Sequence, residues 1–119
     1  MRASIVGSGY VGTTVAACLA DLGREVTNVD IDEEVVASIN AGESPISEPG
    51  LDELIATHSG GRMEATTDYD AVLDTDVTFL ALLTPSRDDG SIDLSYMEAA
   101  AETLGETLAK GTGEHTVVV

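Results

Sequence analysis

The sequence has no tryptophan, one phenylalanine, one cysteine and one lysine in 119 residues. A single cysteine, Cys18, excludes an intrachain disulfide and any multi-cysteine metal site, and it suits a reducing compartment. With aromatics at 3%, a core must be built from Val, Leu, Ile and Ala, the small aliphatic set of layered α/β packing. Positive charge is the scarcest commodity: 22 Asp and Glu against 5 Lys and Arg leave a formal charge of −17. Such a surface repels nucleic-acid backbones and anionic lipid headgroups. Long apolar runs are absent too, since the longest, VTFLALL at 77–83, is far short of a membrane span. The amino terminus passes from a short apolar run straight into glycines, so no signal peptide is expected. These absences predict a soluble, cytoplasmic domain without nucleic-acid or membrane partners. An acidic chain almost free of lysine is also what proteins of salt-loving organisms look like.

What is present is periodic. The acids are spread between apolar segments, not gathered in blocks, so a packed core is expected and a disordered solvating chain is not. At 12.3 kDa the chain makes one domain, residues 1–119. Residues 3–6 form a short apolar run ending at Gly7, which reads as a buried strand. From Val11 the spacing turns helical, with Val15, Leu19 and Leu22 expected on the apolar face and Gly23 as the terminating cap. EVTNVD at 25–30 reads as a second strand. Asp32 then caps a helix with Val35, Val36 and Ile39 inward, and LDELIATH gives a third helix. RMEATT is a brief strand, Asp68 caps a short helical turn, and VTFLALL is the expected inner strand, buried on both faces. Asp93 is the expected cap of a longer helix with Leu94, Met97, Ala101, Leu104 and Leu108 on one face, before a last strand in HTVVV. Alternating strands and helices predict a Rossmann-type, doubly wound parallel sheet with helices on both faces, truncated on its final strand.

IVGSGYVG at 5–12 carries the spacing G-x-G-x-x-G directly after the first strand and into the first helix. Gly7 would allow the tight exit, Gly9 close approach of a pyrophosphate, and Gly12 close packing of helix on strand. Amides around Tyr10 and Val11 would face phosphates at the positive end of that helix. Asp30 lies at the end of the next strand, the position from which an acid accepts hydrogen bonds from a ribose. One more surface acid or a helix cap is the plainer alternative for it. A 2′-phosphate needs a nearby Arg or Lys, and residues 30–36 read DIDEEVV, so NAD is favoured over NADP as cofactor. FAD uses a similar first turn and stays open. Thr84, at the carboxyl end of the expected inner strand, is either a ligand-facing hydroxyl or one satisfying the backbone before Pro85.

Other groups read as structural. Cys18 falls within the first helix, with no His nearby in sequence to activate it, and is expected to be a packed small side chain. His58 and His115 lack a second ligand at metal-like spacing and suit surface or strand-start positions. No catalytic group and no metal site is expected in this chain.

The segments IVGSGYVG, NVDIDEE, SPISEPGL, ATTDYDAVLDTDV and TPSRDDGSIDLSY together resemble the UDP-glucose/GDP-mannose dehydrogenase family across nearly the whole chain. SPISEPGL and TPS with GSIDLSY are far more specific than the glycine turn. The resemblance implies the amino-terminal NAD-binding domain of such an enzyme. It also implies a four-electron oxidation of a nucleotide sugar at C6, from alcohol to carboxylate, with two NAD and a cysteine-linked intermediate. By the family pattern Gly7, Gly9 and Gly12 sit at the pyrophosphate, Tyr10 and Val11 beside it, Asp30 at the adenosine ribose, and Thr84 near the cofactor. Many relatives carry Lys or Arg where Val35 stands, and Gly where Leu83 stands. The catalytic cysteine, its lysine and the sugar-binding domain are expected beyond Val119, so the chain alone is expected to be inactive and the full-length enzyme a homo-oligomer. UDP-glucose is placed ahead of GDP-mannose and N-acetylated sugars. A Rossmann module that senses a nucleotide without chemistry is the competing class.

Overall fold

The computed structural model describes residues 2–7, 10–45, 48–82, 88–90, 95–111 and 115–118, with the backbone alone for Tyr10, Ser95 and Tyr96. Five strands, β1 (Arg2–Val6), β2 (Glu25–Val29), β3 (Met63–Thr66), β4 (Val77–Leu80) and β5 (Thr116–Val118), pair entirely in parallel in the order β3-β2-β1-β4-β5. Helices α1 (Tyr10–Asp21), α2 (Glu33–Asn40), α3 (Leu51–His58) and α4 (Ser95–Leu108) and a 3₁₀ turn at Tyr69–Asp74 connect them. This is the expected doubly wound sheet. Alternation along β1 explains the layering: Ile5 faces a cluster containing Ala16, Ala17, Ile39 and Ile55, whereas Val6 faces Val72, Ala100 and Leu104. With both faces covered, residues Ala3 to Val6 are at most 2% exposed. That double burial is why parallel strands read as continuous apolar runs.

The caps are where the sequence puts them. Asp32 accepts from the backbone N–H of Glu34 at 3.0 Å, and Asp68 from that of Asp70 at 2.9 Å. Gly23, at φ +92°, closes α1 with its N–H on Ala20 O while Arg24 N–H reaches Leu19 O. Asn40 protects the outer edge of β3: its amide donates to Ala65 O at 2.9 Å and accepts from Ala65 N–H at 2.8 Å, standing in for another strand.

Two helix faces differ from expectation. On α1 the buried residues are Gly12, Thr13, Ala16, Ala17 and Ala20; Val15 and Leu19 flank the alanines, Leu22 is 76% exposed beyond the helix end, and Cys18 is exposed, not packed. The cause is proximity. A Cβ on Gly12 would collide with the carbonyl oxygen of Gly7, so the start of α1 is seated tightly on the glycine turn, and small residues continue its buried face. On α4 the buried residues are Ala100, Leu104 and Thr107, with Ala101 turned outward. The expected Asp93 cap and Leu94 lie outside the described residues. β4 ends at Leu80, shorter than the apolar run suggested, although Ala81 N–H still reaches Val6 O at 2.9 Å.

Gly7 is at φ +105°, and a Cβ there would also overlap the carbonyl of Ala81. Gly7→Ala combines backbone strain with overpacking and should cost at least about 2 kcal/mol, whereas Gly23→Ala, with open space around it, should cost about 1 kcal/mol. Chemical denaturation in molar salt measures both.

Candidate functional site

The exit of β1 and the start of α1 bring the glycine motif to the carboxyl edge of the sheet, where open α/β folds bind ligands. Gly7 N–H donates to Val29 O at 2.8 Å, tying the turn to the end of β2, and Gly12 rests on the Gly7 carbonyl. The steric roles read for Gly7 and Gly12 thus hold, while Gly9 lies outside the described residues. Tyr10 begins α1 and Val11, in its first turn, is 63% exposed. That first turn carries no acidic residue, although α2 has Glu33 and Glu34 there, α3 has Asp52 and Glu53, and α4 has Glu98. In a chain of 22 acids, one helix start has been left without carboxylates to compete for its positive end.

Beside this turn opens a cleft of about 370 Å³, a size suited to a small-molecule ligand. Its floor is Val6, Gly7 and Val29, its far wall Ala99, Ala100 and Thr103 of α4, and its rim Asp30, Ile31, Thr67, Tyr69 and Leu82. Asp30 is half-buried, with Oδ1 accepting from Asp32 N–H at 2.8 Å and its own N–H donating to Thr66 O at 3.1 Å. Ile31, by contrast, is 81% exposed at the lip, an apolar side chain with one face open toward the cleft. Burial, and then the negative charge of Asp30, push the Tyr69 phenol above its ordinary value of 10.0. A second, more polar hollow of about 230 Å³ lies at the amino ends of the strands, among Arg2, Glu25, Arg62 and Asp74. It sits at the opposite end of the sheet from the glycine turn, and there Arg2 pairs with Glu25.

The structure therefore brings Gly7, Gly12, Val11 and Asp30 to one edge, and Thr84 lies outside the described residues. Tyr69, Thr67, Leu82 and the α4 residues were not found in the sequence. Asp68 as a cap could have pointed to Tyr69, but only the placement of β3 beside β2 sets Tyr69 near Asp30. Among the groups read as structural, His58 pairs with Asp21 at 3.3 Å between α3 and α1, and the His115 ring meets Thr78 Oγ1 at 2.6 Å just before β5. No group of three or more potential metal ligands occurs among the described residues, and no described helix is long and apolar enough to cross a membrane.

Over residues 1–119 the sequence matches the UDP-glucose/GDP-mannose dehydrogenase family, NAD binding domain. It is 64% identical over 118 residues to the UDP-glucose 6-dehydrogenase AglM of Haloferax volcanii, covering 99% of this chain and 27% of that protein. Among solved structures, a ternary complex of GDP-mannose dehydrogenase from Pseudomonas aeruginosa superposes with a TM-score of 0.95 at 44% identity, over 98% of this chain and 27% of that one. A UDP-glucose dehydrogenase from the archaeon Pyrobaculum islandicum gives 0.89 at 39% identity, again over 98% and 27%. The chain thus spans about a quarter of the length of these relatives.

The upward shift of Tyr69 fixes the sign of a pH effect. The folded protein holds the phenol proton more tightly than the unfolded chain, so this contribution to stability is complete below pH 10.0 and is lost as pH rises through the raised value. Denaturation curves of Tyr69→Phe should fall less steeply than wild type above that pH.

Proposed function

The chain belongs to the UDP-glucose/GDP-mannose dehydrogenase family as its NAD-binding domain, and from that premise we propose that the whole protein oxidises UDP-glucose to UDP-glucuronate with two NAD. The reading of the substrate follows the Haloferax volcanii relative, which shares 64% of residues. GDP-mannose is the alternative, as in the Pseudomonas aeruginosa relative at 45%. The observation that carries the cofactor site is the pairing, on one edge, of a carboxylate-free helix start with the cleft that holds Asp30.

In this reading the amides at the start of α1 meet the pyrophosphate, with Gly9 allowing its close approach and Gly7 and Gly12 setting the tight turn and the close seat of the helix. The adenosine half lies in the cleft, and Asp30 accepts hydrogen bonds from its ribose hydroxyls. Gly9, Tyr10, Val11 and Thr84 complete the proposed contacts. NAD supplies the hydride acceptor. This chain binds and orients it, and Asp30, with Asp32, Glu33 and Glu34 following, disfavours a phosphate on the ribose. Sugar recognition and the catalytic cysteine belong to the remainder of the protein, so residues 1–119 alone bind cofactor without turnover. The working enzyme is a cytoplasmic homo-oligomer.

Four measurements test this. NADH should raise the melting temperature in molar salt and NADPH much less; equal shifts would remove the Asp30 argument. Asp30→Ala should weaken NADH binding about tenfold or more without unfolding the protein, the loss of hydrogen bonds to a charged group. Val11→Glu should act with opposite signs on two readouts: a carboxylate in the first turn stabilises α1 by about 0.3–1 kcal/mol yet competes with the pyrophosphate and weakens NADH. In the full-length protein, two NADH formed per UDP-glucose consumed is the expected stoichiometry. GDP-mannose turned over in its place would move the substrate assignment to the alternative.

A further inference from the structure

The sequence contains only three tyrosines and one phenylalanine. Among the described residues, Tyr69 is the one aromatic side chain lining the cleft. Its place is determined from several sides. It opens the 3₁₀ turn behind the Asp68 cap, Asp68 N–H donates to Thr66 Oγ1 at 3.1 Å, and Thr66 O accepts from Asp30 N–H at 3.1 Å. Thr66 is thus the link that holds Tyr69 and Asp30 in fixed relation. The ring packs on the Val6, Val29, Val72 and Leu80 cluster, which closes it off from solvent on that side. Asp30 and Tyr69 line the same cleft, and the charge of Asp30 adds to burial in holding the phenol proton.

Salt makes this contact consequential. A surface at −17 needs concentrated counter-ions around it, and at about 1 M salt the screening length is about 3 Å. Asp32, Glu33 and Glu34 are exposed, so their charges are cancelled within one ion diameter and no longer reach a ribose in the cleft. A carboxylate keeps its power to reject a phosphate only where protein, not electrolyte, surrounds it.

We propose that Tyr69 is a specificity-determining residue: its ring walls Asp30 off from water and salt ions on one side, so that NAD is chosen over NADP even in concentrated salt. The assignment rests on the cofactor reading above. It goes beyond that reading by placing the selectivity in the neighbouring pair Asp30 and Tyr69 instead of in the acidic stretch as a whole. The ring does the shielding and the hydroxyl is dispensable, so phenylalanine should serve where alanine does not.

The test is the ratio of NADPH to NADH dissociation constants, titrated from about 0.5 M to about 3 M KCl. It compares wild type, Tyr69→Phe, Tyr69→Ala and a Glu33→Gln/Glu34→Gln double variant, with circular dichroism to verify folding. Wild type and Tyr69→Phe should keep their ratio within about threefold across the series. In Tyr69→Ala it should drop about tenfold or more at the high-salt end, by more than NADH affinity itself falls. The double variant should lower the ratio only at the low-salt end. If Tyr69→Ala does not fold, Tyr69→Val carries the same expectation at about threefold. A Tyr69→Ala ratio that tracks wild type overturns the proposal, as does a wild-type ratio that collapses with salt. Failure of wild type to bind NADH at any salt would instead overturn the cofactor reading.

Discussion

The carbonyl of Gly7 lies where a side chain on Gly12 would have to be, and the organisation of the domain follows from that contact. It seats the start of α1 tightly on the glycine turn, and the buried face of the helix is made of small residues, Thr13, Ala16, Ala17 and Ala20. The same approach leaves the start of α1 at the carboxyl edge of β1, beside a turn tied by Gly7 N–H to the end of β2. The cleft opens there because strand, turn and helix are compressed into so few residues. Any enlargement at either glycine moves the helix, and with it the group of amides that would meet a phosphate.

An acidic protein that holds an anionic cofactor faces an apparent contradiction, and the arrangement of charges resolves it locally. Carboxylates occupy the first turns of α2, α3 and α4, where they favour helix formation, and are missing from the first turn of α1. Distant charges matter little in concentrated salt, while backbone amides act at contact. The surface can therefore carry −17 without closing the site to a dinucleotide.

The two faces of the sheet divide the work. The side with α1, α2 and α3 is a tight aliphatic layer built on small residues. The side with the 3₁₀ turn and α4 is looser near the carboxyl edge, where Ala99, Ala100 and Thr103 leave the cleft between helix and strand ends. Larger residues at those three α4 positions would fill the space that the adenosine half is proposed to occupy, so the smallness of α4 is as much a part of the site as the glycines.

Much was legible in the residues alone. Strand and helix order, the Asp32 and Asp68 caps, the Gly23 termination, the steric need for Gly7 and Gly12, and the position of Asp30 all come from local rules of spacing, charge and backbone freedom, which act within a few residues along the chain. The face of α1 was misread because its nearest neighbour is a backbone, and amphipathic spacing cannot say how near a neighbour will be. Asn40 on the edge of β3, Tyr69 beside Asp30, and α4 as the far wall of the cleft had no signal of their own, since each depends on residues 25 or more positions away. Local chemistry determined what each segment would become. Only the strand order 3-2-1-4-5, a matter of packing both faces of one sheet, decided which segments would meet and so where the cleft would be.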